Sequence, residues 1–280
     1  MDKPLWLWIL FGIVVTFLLT FDLCLSRWKS RDSSIKINLL LSILYVIITI
    51  MFGGWVWYQL GGDLAAQFFM GWSLEKTLAL DNVIIIACVF NYFGIPSMYQ
   101  HRVLFWGIMG VIVLRAIVIY AGVTLVSTFS WVLFVFAVLL VVMGVKMLFT
   151  SNAAPDLSKN KALKFMNKHF RITKELHGNA FFITKTESGV KQLWCTPLLI
   201  ALVMIECIDI VFAMDSLPAI FAITTDTYII YTSNIFAILG LRSLYFVLAS
   251  MIHRFHFINY VVAVLLILIG IKGTISFVAG

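Results

Sequence analysis

The chain has 280 residues, 62% of them hydrophobic and 12% charged, with a formal charge of +7 and a mean hydropathy of +1.04. That composition excludes a soluble globular domain and a disordered chain, and leaves a polytopic membrane protein. The basic excess gathers in two loops, so it reports membrane topology and not a nucleic-acid partner.

Taking about 20 apolar residues per crossing, the sequence predicts an all-α helical membrane bundle of about eight spans. They fall near residues 5–25, 37–58, 72–93, 103–125, 129–149, 195–217, 227–250 and 257–278. The expected organisation is two leading helices (1–66), a first three-helix unit (67–150), a basic loop (151–193) and a second three-helix unit (194–280).

The first span has an apolar run too long for a signal-peptide core and no small-residue cleavage site before Arg27, so it reads as a retained helix. Asp22, near its end, reads as an interfacial acid facing Arg27 or water. Arg27, Lys29, Arg31 and Lys36 follow this span, and Lys159, Lys161, Lys164, Lys168, Arg171, Lys174, Lys185 and Lys191 fill the loop after the fifth. The positive-inside rule therefore places the amino terminus outside and both basic loops in the cytoplasm. Span two ends in MFGGWVWYQLGG, an aromatic exit suited to the outer interface.

Span three carries Glu75, Lys76, Asp81 and Asn82 in an otherwise apolar helix. Six residues separate Glu75 from Asp81, about 120° in azimuth, so both can border one cavity. Lys76 is expected to pair with Glu75 or a neighbouring helix, or to snorkel. Span four holds Arg115 without an acid of its own, so its guanidinium should face carboxylates from span three or six. Lys146 of span five lies close enough to the cytoplasmic end to snorkel.

In the long loop, Leu163, Met166 and Phe170 recur at helical steps among lysines, which predicts an amphipathic helix on an anionic leaflet. The segment FFITKTESGVKQLW reads as a β-hairpin. Cys24, Cys88, Cys195 and Cys207 are scattered and form no C-x-x-C pair, so they read as packing residues.

Span six has Glu206, Asp209 and Asp215 in its interior. Each carboxylate at that depth costs roughly 2.5–3.5 kcal/mol on insertion scales, so the three need compensation. Glu206 and Asp209 share a face, whereas Asp215 points roughly opposite to Glu206 on an ideal helix. Pro218 removes the donor for the Met214 carbonyl, and the sequence predicts a helix break at Met214–Asp215 that turns Asp215 towards the cavity.

An internal repeat connects these features. Glu75, five residues, Asp81 and Asn82 align with Asp209, five residues, Asp215 and Ser216. Arg115 matches Arg242 and Lys146 matches Lys272, at intervals of 31 and 30 positions. Three spans per copy force opposite orientations, an inverted repeat of the kind secondary transporters use around a midplane site.

Glu75, Asp81, Glu206, Asp209 and Asp215, with Asn82, Ser216 and Asn234, supply oxygen ligands suited to hard divalent cations. His253 and His256 lie at the end of span seven, which disfavours zinc or copper. Against Lys76, Arg115 and Arg242, the five acids leave a deficit of two charges, which one divalent ion would cancel.

The motifs EKTLALDNV, HRVLFWGIMGVIVLRAIVIYAG, IECIDIVFAMDSLPAIFAITTD and TSNIFAILGLRSLYF resemble the TerC family of integral membrane proteins, especially its Alx-like members. The resemblance implies an inner-membrane protein linked to manganese export and tellurium resistance, with Alx-like members also described as redox modulators. It carries intramembrane roles onto Glu75, Asp81, Asn82, Arg115, Glu206, Asp209, Asp215, Ser216, Asn234 and Arg242. Members of the family usually continue into a further carboxy-terminal helix, whereas this sequence ends at Gly280.

The expectation is therefore a divalent-cation exporter with Mn²⁺ as its substrate, no tightly bound cofactor and no enzymatic activity. Glu206, Asp209, Asp81 and Asp215 would coordinate the ion, with the Met214 carbonyl beside them and Glu75 relaying ions or protons near the outer mouth. Arg115 and Arg242 would hold the acids in place. The competing readings are a membrane-bound redox modulator and a scaffold that supports metalation of exported proteins.

Overall fold

The computed structural model describes residues 3–28, 35–129, 131–149, 171–173, 175–187 and 190–249, with helical residues 264, 267–271 and 274–275 after them. At several helical positions, Asp81, Lys146, Met214 and Asp215 among them, it describes the backbone alone. The expected amphipathic helix around Leu163–Phe170, the expected match of Lys272 to Lys146 and most of the eighth span lie outside the described residues.

Two long apolar helices open the chain, α1 (Leu5–Trp28) and α2 (Ile35–Leu60). α1 shows why such sequences lack an amphipathic pattern: Leu7, Phe11, Val15 and Leu18 are buried, while Leu5, Ile9, Ile13 and Phe17 are exposed, and both faces are apolar. In a bilayer the second face meets lipid tails, which are as apolar as the protein core.

α3 (Gly62–Tyr92) begins about ten residues before the predicted third span. Gly61, at φ 93°, turns the chain directly from α2 into α3, and the segment preceding the apolar run is already helical. The unit boundary expected at residue 66 therefore falls inside a helix. α3 is 31 residues long, about 46 Å at 1.5 Å per residue, which exceeds the hydrocarbon thickness.

α4 (Ser97–Thr128), α5 (Trp131–Phe149), α6 (Pro197–Phe221), α7 (Thr227–Ile238) and α8 (Leu241–Ala249) complete the described bundle. α1, α2, α4 and α6 are each long and apolar enough to cross a membrane, and α7 with α8 makes a fifth such unit as one span bent by 40°. Between α5 and α6, β1 (Phe182–Glu187) pairs antiparallel with β2 (Val190–Cys195), Phe182 opposite Cys195 and Glu187 opposite Val190, as the alternation predicts. Ile172 bridges to Cys195 and ties the preceding strand of chain to the hairpin. The protein is thus an all-α membrane protein with one small hairpin.

α3 packs chiefly on α7, and α4 on α6. One apolar core joins α3, α4, α6 and α8 around Phe90, Leu104, Met204 and Tyr245. A second, rich in rings, gathers Phe11, Phe52, Phe68, Tyr228 and Phe236 from α1, α2, α3 and α7. Phe52 and Phe236 lie 4.5 Å apart by ring centroids, within the range of favourable aromatic pairing.

The helix break falls elsewhere than the sequence predicts. α6 runs unbroken through Met214, Asp215 and Pro218 to Phe221. Pro218 forfeits one intrahelical bond, to the Met214 carbonyl, and the helix continues past it to the cap at Ala222, where Ala222 N–H donates to Pro218 O and Thr224 N–H to Ile220 O. The interruption is at Leu239–Gly240 in the seventh span, where Gly240 has φ 80°. Positive φ is costly for a residue with a Cβ, and at Gly240 a Cβ would also lie 2.8 Å from the Tyr45 ring.

Gly240→Ala is expected to lower stability by roughly 2–4 kcal/mol, the sum of a left-handed backbone and an overpacked contact. Thermal unfolding of the purified protein in detergent checks this, with Gly12→Ala as the control at a position where a Cβ meets nothing.

Candidate functional site

Arg115 is 1% exposed, and its guanidinium is the centre of the site. Nε and Nη2 donate to Asp209 Oδ2 and Oδ1, both at 3.1 Å, a side-on bidentate pair. Nη1 donates to Glu75 Oε1 at 2.5 Å and to Asn234 Oδ1 at 3.2 Å, with Ser216 Oγ at 3.4 Å. One side chain of α4 thereby joins α3, α6 and α7. The sequence expectation that Arg115 faces carboxylates from span three or six holds, and each of the two spans supplies one, Glu75 and Asp209.

Depth follows from helix length. Glu75 lies 13 residues after Gly62 and Asp209 12 residues after Pro197, about 20 and 18 Å along their axes. Glu75 is 2% exposed. It belongs to the bundle interior and not to an outer mouth, because α3 starts earlier than its hydropathy suggests.

A cavity of about 30 Å³ adjoins the ion pair, room for roughly one water. Glu75, Asn82, Arg115 and Asp209 form its polar wall, and apolar residues such as Ile86, Leu104, Ile205 and Phe212 form the rest. Two buried acceptors of its lining have no protein partner, Glu75 Oε2 and Asn82 Oδ1, and the same holds for both oxygens of Glu206 on α6. Buried polar atoms are normally satisfied, so these oxygens mark the place where a partner outside the protein is wanted.

Glu206 sits one turn before Asp209 and lies against α4 at Gly107 and Gly110. A Cβ at Gly110 would stand 2.6 Å from the Glu206 carboxyl carbon, so the glycine is what admits the acid to the helix interface.

Among the described residues, no three Asp, Glu, His or Cys side chains converge as a metal-binding group. Glu75 and Asp209, two of the expected ligands, are held together through Arg115, which takes the position between them. Asn82 and Glu206 flank this pair, while the side chains of Asp81, Met214 and Asp215 are among those outside the description.

Of the other expected supporting cations, Arg242 goes elsewhere. Arg242 donates through Nη2 to Asp22 Oδ1 at 2.6 Å and to the Asp22 carbonyl at 3.1 Å. Asp22 is therefore a buried partner, 5% exposed, and not an interfacial acid; Tyr45 also donates to its carboxylate. Of its expected outlets Lys76 takes the neighbouring helix and not Glu75: its ammonium donates to the backbone carbonyls of Ala237 at 3.0 Å and Leu239 at 3.5 Å. The Asp22–Tyr45–Arg242 cluster escaped sequence reasoning because a lone acid near a helix end looks interfacial; the unpaired Arg242 was the signal that one buried acid was unassigned.

Carboxylates bridged by a buried guanidinium, at mid-depth in an apolar helical bundle, define a polytopic integral membrane protein with a charged intramembrane centre. The chain belongs to the integral membrane protein TerC family, whose model matches residues 60–279. It is 46% identical over 265 residues to an uncharacterised membrane protein of Rickettsia bellii, covering 95% of this chain and 86% of the relative. It is 40% identical over 275 residues to a protein of Photorhabdus laumondii, and 38% to one of Escherichia coli O6:H1, covering 95% of this chain and 85% and 84% of those relatives. Both are named Alx for a proposed role as a membrane-bound redox modulator. No solved structure gives a significant match.

Removing Arg115 should strand Glu75 and Asp209 as unpaired buried acids. Arg115→Met is expected to cost roughly 3–5 kcal/mol, and adding Asp209→Asn should restore part of it, a positive coupling that unfolding of the single and double variants would measure.

Proposed function

We propose that the protein is a transporter that exports a hard divalent cation, with Mn²⁺ as the favoured substrate, across the cell inner membrane. The observation that carries this reading is the arrangement of Glu75, Asp209 and Asn82 with Arg115 around a small cavity, with Glu75 Oε2 and Asn82 Oδ1 left unpartnered there and Glu206, whose oxygens are also unpartnered, one turn away on α6. All of these ligands are oxygens, the donor type that suits Mn²⁺, Mg²⁺ or Ca²⁺.

Charge supports the reading. Glu75 and Asp209 against Arg115 sum to −1, a net negative charge that a cation would meet. In the present arrangement the guanidinium occupies the space between the two acids, so it acts as a tethered cation that offsets part of their charge when substrate is absent. Substrate would have to draw Glu75 or Asp209 away from Arg115. Asp81 and Asp215, the second acids of the two motifs, complete the proposed ligand set.

Movement between states would follow from the two three-helix units acting as inverted repeats. Their contacts, α3 with α7 and α4 with α6, are the pair that a twofold exchange of the units would interconvert. Protons are the proposed counter-ion, with the amino terminus outside and the 151–193 loop in the cytoplasm. Tellurium resistance would be a secondary consequence of ion handling.

The redox reading is favoured by the relatives' names alone. The four cysteines are unpaired, and Cys195 is buried in β2, where desolvation pushes its thiol above the ordinary range. A thiolate is the reactive form, so this environment opposes thiol exchange.

In everted vesicles loaded with a Mn²⁺-sensitive dye, Asp209→Asn, Asp81→Asn and Glu206→Gln should each slow accumulation by roughly tenfold or more. Replacement of all four cysteines by Ser should leave it near the parental rate. If liposomes holding the purified parent do not move Mn²⁺, the transporter reading is wrong and a scaffold role takes its place.

A further inference from the structure

The bend in the seventh span creates acceptors as well as a kink. The last carbonyls of a helix have no amide one turn ahead to bind them, and the negative end of the helix dipole collects there. α7 ends at Ile238 with Leu239 as its cap, and Gly240, at φ 80°, carries the chain into α8 on a new axis. The Ala237 and Leu239 carbonyls are left facing α3.

What meets them is the Lys76 ammonium, at 3.0 and 3.5 Å. Among the described residues Lys76 forms no ion pair with an acid; its neighbour Glu75 is turned to Arg115. A lysine in a helix interior has two ordinary outlets, a carboxylate or the membrane interface. Lys76 uses neither, so neutral carbonyl oxygens fix its place.

We propose that the bend at Leu239–Gly240 is a monovalent-cation site whose cation is built in as the Lys76 ammonium. Carbonyls at the end of a half-helix are the donor set that holds an alkali or ammonium ion in a membrane interior. They carry no net charge, so they suit a single positive charge better than a divalent ion. Tethering the cation to α3 removes any need for one from solution and ties the bend to the helix that carries Glu75. The site is separate from the cation substrate's proposed ligands and does not depend on that reading.

The test removes the tethered cation and supplies a free one. Lys76→Ala vacates the space of the side chain, whereas Lys76→Met removes the charge but keeps most of the stem. Each purified variant is heated in detergent at constant ionic strength in the chloride salts of Na⁺, K⁺, ethylammonium or the bulky N-methylglucamine cation. The Ala variant should unfold earlier than the parent in N-methylglucamine and regain roughly 2–4 °C or more with at least one small cation, while the parent and the Met variant should not respond. No cation-specific gain in the Ala variant overturns the proposal. Should that variant fail to fold, Lys76→Arg and Lys76→Gln decide: stability kept by Arg and lost by Gln supports a cation site, and a Gln variant as stable as the parent overturns it.

Discussion

The guanidinium of Arg115 between Asp209 and Glu75 is the interaction on which the bundle interior is built. An arginine 1% exposed at mid-depth survives only if every charge and donor finds a partner in place. Asp209 takes it side-on, Glu75 takes Nη1, and Asn234 and Ser216 add neutral acceptors. Because those partners come from α3, α6 and α7, the packing of four helices is fixed by one side chain's hydrogen-bond geometry. Apolar packing then closes around it, with Gly110 making the space that Glu206 needs on α4.

A second buried pair, Arg242 with Asp22, gives the leading helices a structural role. The family match begins at residue 60, so α1 and nearly all of α2 precede it, yet Asp22 of α1 and Tyr45 of α2 hold the residue just past the bend. The bend is thus held from three sides: Lys76 on its carbonyls, Tyr45 against Gly240, and Asp22 on Arg242. The two buried arginines consequently do different work. Arg115 gathers the intramembrane acids, and Arg242 anchors the bent span to the amino-terminal helices.

Lys76 and Glu75 are adjacent on α3 and face different partners, one the bend and the other the acid centre. About 100° separates consecutive residues on a helix, so one rigid element addresses both places. Any rotation of α3 that releases Glu75 from Arg115 also shifts Lys76 against the end of α7. A transporter cycle built on this arrangement would couple the state of its ion site to the angle of the seventh span through a single helix.

The sequence by itself determined the all-α membrane class, the β-hairpin and the need for acids to meet Arg115, because hydropathy, strand alternation and the cost of unpaired charge are properties of short segments. The NxFAxLGLR run and the acidic motifs likewise marked the TerC resemblance through local pattern. Only the tertiary structure decided which acid each cation takes. Asp22 became the partner of Arg242, Lys76 went to backbone carbonyls, and Glu75 moved from an expected mouth to the interior. The break also passed from Pro218 to Gly240. Pro218 removes one hydrogen bond, to the Met214 carbonyl, and α6 continues past it, whereas a positive φ beside the Tyr45 ring redirects a whole span. These outcomes depend on which helices face one another, and that is set by contacts between residues as far apart as Asp22 and Arg242.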